Sequence, residues 1–341
     1  MPGCAVADAD TDVIVDEIID AVVDEIAPGA TVTRRPFVYA TSFRLEEIEI
    51  NRAGGPNRRL VAKHLGRQAM SDAARLAKPS ASHCAGRELA VYRYILASAD
   101  LGTPELIGGW VSDDNDDGVM VLEQVAGTPL SEIGDFAVWT AAARWLARMH
   151  AKFANAPLML TAGPGPGPGA SLVRYDHEVL AAAGRRGLAR AAEQALGSAE
   201  VCVALGARHE YALRALASAS PTLVHGDFYP SNIVVADDRI AVVDWELAGT
   251  GPAVLDLAAL AAGGWSSEQR HDLIRAYHEE AFALRRTETF TALVRRVELA
   301  SLHLALQWVG SAPDWEAPDE HRRDWFADAI AALARLDGGT S

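Results

Sequence analysis

From Val13 to Ile26 the apolar residues Ile14, Ile18, Val22 and Ile26 recur every four positions, with Asp16, Asp20 and Asp24 on other faces. This spacing predicts an amphipathic helix, closed by Pro28-Gly29. Three stretches of strand character follow, Val32 to Tyr39, Phe43 to Asn51 and Arg59 to His64. The last two flank Ala53-Gly54-Gly55-Pro56, a turn composition that implies an antiparallel hairpin. Gly66 to Gly86 is polar, alanine-rich and broken by Pro79, and reads as an insertion with one short helix. Arg87 to Ala97 places Leu89, Tyr92 and Leu96 on one helical face, and strand character returns in Leu106 to Val111 and Val119 to Val125.

After Gly127 the period becomes helical. Phe136, Trp139, Ala143, Leu146, His150 and Phe153 fall at three- and four-residue intervals behind Asp135, an N-cap residue type. The run Gly163-Pro164-Gly165-Pro166-Gly167-Pro168-Gly169 fits no helix or central strand and predicts an exposed loop. Ile233 to Ala236 and Ile240 to Val243, separated by Asp237-Asp238, form a second hairpin pattern, and helices continue to about Leu336. There is no internal repeat.

At 341 residues the chain exceeds one ordinary core, which favours two lobes. Half the residues are hydrophobic and 23% charged, as in a folded globular protein. The net charge of −15 argues against nucleic acid or anionic membrane as a partner, and would welcome a cationic one. Cys4, Cys84 and Cys202 are too few and too far apart for a disulfide framework or a zinc site. With Asp8, Asp10 and Asp12 where a secretory signal carries Lys or Arg, a cytoplasmic location is expected.

The chemistry concentrates in His225-Gly226-Asp227-Phe228-Tyr229-Pro230-Ser231-Asn232-Ile233 and, directly after the hairpin, Val242-Val243-Asp244-Trp245-Glu246. Two carboxylates and an amide thus flank a hairpin. Phosphoryl transfer needs one carboxylate to accept a hydrogen bond from the attacking hydroxyl, and oxygen ligands to hold Mg²⁺ against the phosphates. Asp227 suits the first role, Asn232 and Asp244 the second. Each element alone is also an ordinary Asp- and Asn-rich turn, but both in order across a hairpin point to a phosphotransferase.

These two motifs resemble those of the aminoglycoside phosphotransferase and choline kinase superfamily, in which His-Gly-Asp-x-x-x-x-Asn precedes an Asp-Trp-Glu or Asp-Phe-Gly type triplet. Gly251-Pro252-Ala253-Val254-Leu255-Asp256-Leu257-Ala258 is similar to that family's Gly-x-x-x-x-Asp-Leu-Ala segment. The resemblance implies an α+β, bilobal, protein-kinase-like fold: a small five-stranded antiparallel N-lobe with one main helix, and a larger, mainly helical C-lobe. The expected divisions are an N-terminal helix over 1–30, an N-lobe over 31–122 with the insertion 66–86, a hinge over 123–128 and a C-lobe over 129–341. The C-lobe would carry the catalytic loop 225–232 and the metal segment 242–246.

The resemblance also implies roles. Asp256 would brace the catalytic loop and His225 would belong to its framework. Lys63, ending the third strand in Val61-Ala62-Lys63, would hold the nucleotide phosphates with Glu88 orienting it. Thr41 and Ser42 would contact the phosphates in place of a glycine-rich loop. Leu122, Glu123 and Val125 would form the adenine-binding hinge, with nucleotide in the cleft between the lobes. His150 reads as a core histidine. For the acceptor, Glu246, Trp308, Asp314 and Trp315 stand out, the last three in an acidic and aromatic cluster with Glu316, Asp319 and Glu320. That cluster equally suits a solvated turn.

The expected activity is ATP- or GTP-dependent O-phosphorylation, with Mg²⁺, of an antibiotic or specialised metabolite of aminoglycoside, macrolide or nucleoside type. The alternatives are a kinase of choline, homoserine or a sugar, and a catalytically silent kinase-like binding protein. Monomer and homodimer both remain open.

Overall fold

The computed structural model describes residues 5–37, 42–52, 56–77, 83–154, 172–237, 239–284, 288–311 and 323–338. The chain divides into two compact units, one running through Ala126 and one beginning at Gly127.

The first unit opens with helix α1 (Ala5–Ile26). It then builds a sheet from β1 (Thr31–Pro36), β2 (Leu45–Asn51), β3 (Arg58–His64), β4 (Leu106–Val111) and β5 (Gly118–Glu123). All pairings are antiparallel, in the order β1-β2-β3-β5-β4. Alternation sends Ile48, Ile50, Leu60, Ala62, Val119 and Val121 to one face, where they pack with Val15, Ile19, Val23 and Ala27. The buried stripe of α1 therefore lies one position beyond the expected one: Ile18, Val22 and Ile26 flank it, and Ile14 is exposed. Two adjacent apolar rows share this helix, and the row Val15, Ile19, Val23 and Ala27 is the one buried against the sheet. Helix and strand meet closely at Gly108, where a Cβ would lie 2.7 Å from Val22 Cγ2.

The insertion contains a 3₁₀ turn at Arg67–Ala69 and helix α2 (Asp72–Ala77). Helix α3 (Ala85–Ala90) continues into a π-helical stretch, Val91–Leu96, where Ala97 N–H donates to Tyr92 O at 3.1 Å. The sequence pattern implies one continuous helix here; the wider turn adds one residue per turn and is frequent near functional sites.

In the second unit, Asp135 caps α4 (Phe136–Lys152) by accepting from Ala137 N–H. The following helices are α5 (His177–Glu193), α6 (Ala199–Ala217), α7 (Val254–Leu260), α8 (Ser267–Ala283), α9 (Phe290–Val309) and α10 (Trp325–Gly338). Helix α9 lies against α5, α6, α7 and α10. Its buried Glu298 accepts from Arg270 of α8 at 3.0 Å and Arg335 of α10 at 2.7 Å. Short strands frame the loops of interest. β6 (Thr128–Pro129), β9 (Ile233–Val235) and β10 (Ile240–Val242) form one sheet, and β7 (Val173–Arg174), β8 (Thr222–Val224) and β11 (Gly249–Gly251) another.

Candidate active site

The chain leaves β8 at His225 and enters β9 at Ile233, so the loop between them is anchored in a different sheet at each end. Its first residues hang on Asp256. That residue is the one charged group on α7, a helix buried on every side. A buried carboxylate must be matched by donors. Asp256 Oδ2 accepts from His225 N–H at 2.7 Å, and Oδ1 from Gly226 N–H at 2.9 Å. His150 Nε2 lies 3.2 Å from the same Oδ2, and its Nδ1 3.0 Å from the Tyr277 hydroxyl.

The His225 imidazole is fully buried and used at both nitrogens: Nδ1 accepts from Asp227 N–H at 3.2 Å, so Nε2 carries the proton and donates to Val243 O at 2.9 Å. Gly226 adopts φ +81°, and a Cβ there would collide with Tyr175 Oη and Leu247 O. Glycine alone meets both demands. The backbone thus delivers Asp227 outward from a rigid base.

Asn232 closes the loop. Its Nδ2 donates to Asp227 O at 2.9 Å and to Asp227 Oδ2 at 3.1 Å. Its backbone C=O accepts from Val243 N–H at 3.0 Å, extending the ladder of β9 and β10 by one pair and setting Asp244 beside it. Asp244 itself is left-handed, φ 62° and ψ 61°, a conformation that costs a non-glycine residue about 1–2 kcal/mol. Trp245 anchors the turn after it: the ring is fully buried, donates to Val242 O at 3.0 Å and meets His225 edge to face.

With its amide nitrogen committed to Asp227, Asn232 has Oδ1 available for a cation, and Asp244 adds a carboxylate. Two oxygen donors of this kind fit Mg²⁺, which rarely takes an all-protein cage and usually completes its shell with water and phosphate oxygens. Among the described residues there is no cluster of three or more His, Cys, Asp and Glu that could hold a metal.

In the first unit, Lys63, the last residue but one of β3, has its Nζ 2.6 Å from Glu88 Oε2 of α3, both side chains buried. The ammonium also lies 5.2 Å from the Phe43 ring centroid. Next along the strand, on the α1 side, His64 bonds Glu46 at 2.7 Å. That contact, with Arg34 and Arg44 nearby, pulls the Glu46 carboxyl down to about 2. Leu122 is buried between Val61 and Leu106, Glu123 N–H donates to Glu105 O, and Gln124 N–H to Arg59 O, leading the chain through Val125.

A model of the phosphotransferase enzyme family (APH) matches residues 53–290, more than half of the chain. The chain belongs to that family. It is a small-molecule kinase. This phosphotransferase has no match among curated proteins at the sequence level. Solved structures similar to it include macrolide 2′-phosphotransferase MphH from Brachybacterium faecium, 19% identical over 94% of this chain and 98% of that one, with a TM-score of 0.55. Choline kinase from Cryptosporidium parvum Iowa II is 13% identical over 95% and 94%, TM-score 0.55. The streptomycin–ATP ternary complex of APH(2″)-IIa is 13% identical over 93% and 95%, TM-score 0.53. These likenesses establish the protein-kinase-like fold.

Other sequence expectations for the phosphotransferase divide. Ser42 accepts from Ser71 N–H through its backbone, while Thr41, Asp314, Trp315 and the Pro-Gly run lie outside the described residues. Glu246 sits in the 3₁₀ turn after Asp244. Trp308 turns its indole N–H to the Tyr229 hydroxyl at 2.5 Å and stacks on Trp325, tying α9 and α10 to the loop 225–232. Among the described helices none is long and apolar enough to cross a membrane. The sequence pattern gave no hint of Tyr175, Tyr277 or the contact of His150 with Asp256, because each is a pairing across more than 70 residues.

Proposed function

We propose that this phosphotransferase moves the γ-phosphoryl group of ATP or GTP to a hydroxyl of an antibiotic or specialised metabolite. The observation that carries the reading is the link from Asn232 to both Asp227 and the Asp244 strand. Asp227 accepts the hydrogen bond, then the proton, of the attacking hydroxyl. Asn232 Oδ1 and Asp244 hold Mg²⁺, which neutralises phosphate charge when bound. Lys63, oriented by Glu88, holds the nucleotide phosphates, Thr41 and Ser42 add hydroxyl and backbone contacts, and the backbone of Glu123 and Val125 beside Leu122 receives the base. Asp256 and His225 keep the loop in place.

The antibiotic assignment draws on the macrolide and aminoglycoside enzymes with this fold, whose names attach to those proteins. The test is ADP release by purified protein with Mg-ATP or Mg-GTP against macrolides, aminoglycosides, nucleosides, choline, homoserine and sugars. Asp227→Asn should lower kcat by about 10²–10⁴-fold with nucleotide affinity nearly unchanged. Unchanged turnover in that variant would remove Asp227 from the mechanism.

A further inference from the structure

The insertion 66–86, which lengthens the connection between β3 and α3, leaves the sheet and returns to it at one turn, the turn that joins β4 to β5. As the chain departs, Leu65 N–H donates to Gly118 O at 2.8 Å and Arg67 N–H to Asp116 O at 3.3 Å. On its return, Ala85 N–H donates to Asn115 O at 3.2 Å and Gly86 N–H to Asn115 Oδ1 at 3.1 Å. Asn115 makes both contacts from a left-handed backbone, φ 66°, which asparagine tolerates better than most residues. The insertion is thereby fixed at both ends.

Between those ends it grips the chain just before β2. Arg44 N–H donates to Ala69 O and Ser71 N–H to Ser42 O, both at 2.9 Å, and an isolated antiparallel bridge pairs Phe43 with Met70. Phe43, Met70 and Ala74 of α2 form a small buried cluster of their own, apart from the core under α1. Ala74 N–H donates to Ser71 Oγ at 3.2 Å, and the Arg67 guanidinium to Arg75 O at 3.2 Å, which ties the grip together.

What the grip presents to the site is an aromatic ring. Lys63 Nζ lies 5.2 Å from the Phe43 ring centroid and 2.6 Å from Glu88 Oε2. The insertion therefore bears on both neighbours of the ammonium: Met70 and Ala74 seat the ring, and Asn115 holds the first turn of the helix that carries Glu88. These two neighbours differ in kind. The carboxylate fixes the ammonium but repels an incoming phosphate, whereas a ring face attracts a cation through its quadrupole and carries no net charge. Lysine has a flexible stem, so contacts of this kind decide where its head rests.

We propose that the insertion 66–86 is a positioning device for the nucleotide donor: it holds Phe43 as a wall against Lys63, keeping the ammonium where the phosphates meet it. The inference rests on the reading of Lys63 as the phosphate-binding cation. Phe43 is then a positioning residue, acting through Lys63 and not on the nucleotide itself.

The experiment measures Kd for Mg-ATP and Mg-GTP by calorimetry, with Tm alongside. Phe43→Leu keeps an apolar contact for Met70 and Ala74 but removes the ring, and should weaken binding of the preferred nucleotide about fivefold. Replacing Phe43 site-specifically with mono-, di- and trifluorophenylalanine preserves the ring's shape while withdrawing charge from its face. Kd should rise step by step with each fluorine, with Tm close to that of the wild type. Met70→Ala, which loosens the seat of the ring, should raise Kd as well. Lys63→Met should weaken binding by roughly tenfold. In that background Phe43→Leu should add nothing, because the two residues act through one contact.

A Kd indifferent to fluorination, or a Phe43→Leu penalty undiminished in Lys63→Met, would overturn the proposal. Met70→Ala with a lowered Tm and an unchanged Kd would overturn the part given to the insertion. The donor reading fails separately, and this inference with it, if Lys63→Met binds nucleotide as tightly as the wild type.

Discussion

His150 Nε2 stands 3.2 Å from Asp256 Oδ2, the same oxygen that accepts the backbone N–H of His225 at 2.7 Å. One carboxylate thereby joins α4 to the start of the loop 225–232, and the second imidazole nitrogen passes the connection to Tyr277 of α8. Hydrogen bonds to a charged group contribute about 1.5–3 kcal/mol, and a buried donor left without its acceptor costs about 1–3 kcal/mol. Asp256→Asn places an amide NH₂ where two backbone donors converge. We expect it to lower stability by about 2–4 kcal/mol and kcat by tenfold or more, with ATP KM changed less. Urea unfolding and steady-state kinetics would measure both, and an unaffected kcat would show the loop to be held by other contacts.

The pair Lys63–Glu88 makes a different prediction, because both partners are buried at 2.6 Å. Removing one member of such a pair leaves an uncompensated charge, at about 3–5 kcal/mol, whereas removing both is often close to neutral. Glu88→Gln should therefore destabilise more than Lys63→Met/Glu88→Gln, while both variants lose at least tenfold in kcat/KM for ATP. A double variant as unstable as the single would mean that the pair is solvated in solution.

Stability should also respond to acid in a window set by the imidazoles. His209 and His303 fall from an ordinary value near 6.5 to about 4 and about 3 in the folded chain. The unfolded state then binds more protons below pH 6.5, so the contribution of these residues is fully present above 6.5 and declines as pH falls toward 4. The slope is up to about 1.4 kcal/mol per pH unit for each group. Glu46, drawn down to about 2 by His64 and Arg34, contributes a loss only below about 4.5, which separates the two effects. Tm measured from pH 7 to 4.5 should fall more steeply in the wild type than in His209→Leu/His303→Leu; parallel curves would assign the acid lability elsewhere.

Much of this molecule was legible because its determinants are local. Alternation in β2 and β3 sends alternate residues to α1, and Asp135, Asp227, Asn232, Asp244 and Asp256 announce themselves by residue type and spacing. What was not legible depends on contacts between distant segments. The stripe of α1 could be resolved only by the sheet against it, since Ile18 and Ile19 are equally apolar in sequence. Asp227 could be singled out from the sequence, but the tautomer of the adjoining His225 required Val243 O across the hairpin. The neutrality of His303 follows from burial and then from His209, 94 residues away, neither of which its place in the sequence discloses.

Asp244 combines a strained backbone with the proposed metal role. Its left-handed backbone costs about 1–2 kcal/mol, which glycine avoids and asparagine tolerates better than most residues. Glycine also loses more freedom on folding, by about 0.5–1 kcal/mol, so the net gain for Asp244→Gly is small. We expect Asp244→Gly and Asp244→Asn to be at least as stable as the wild type yet to lose Mg²⁺-dependent turnover by two or more orders of magnitude. Asp244→Val, β-branched and poorly suited to positive φ, should unfold earlier by about 2 kcal/mol or more. Thermal unfolding combined with a Mg²⁺ titration of ADP release reads both quantities. If the glycine variant proved less stable than the wild type, Asp244 would be held by contacts that outweigh its strain, and its conformation would owe nothing to the cation.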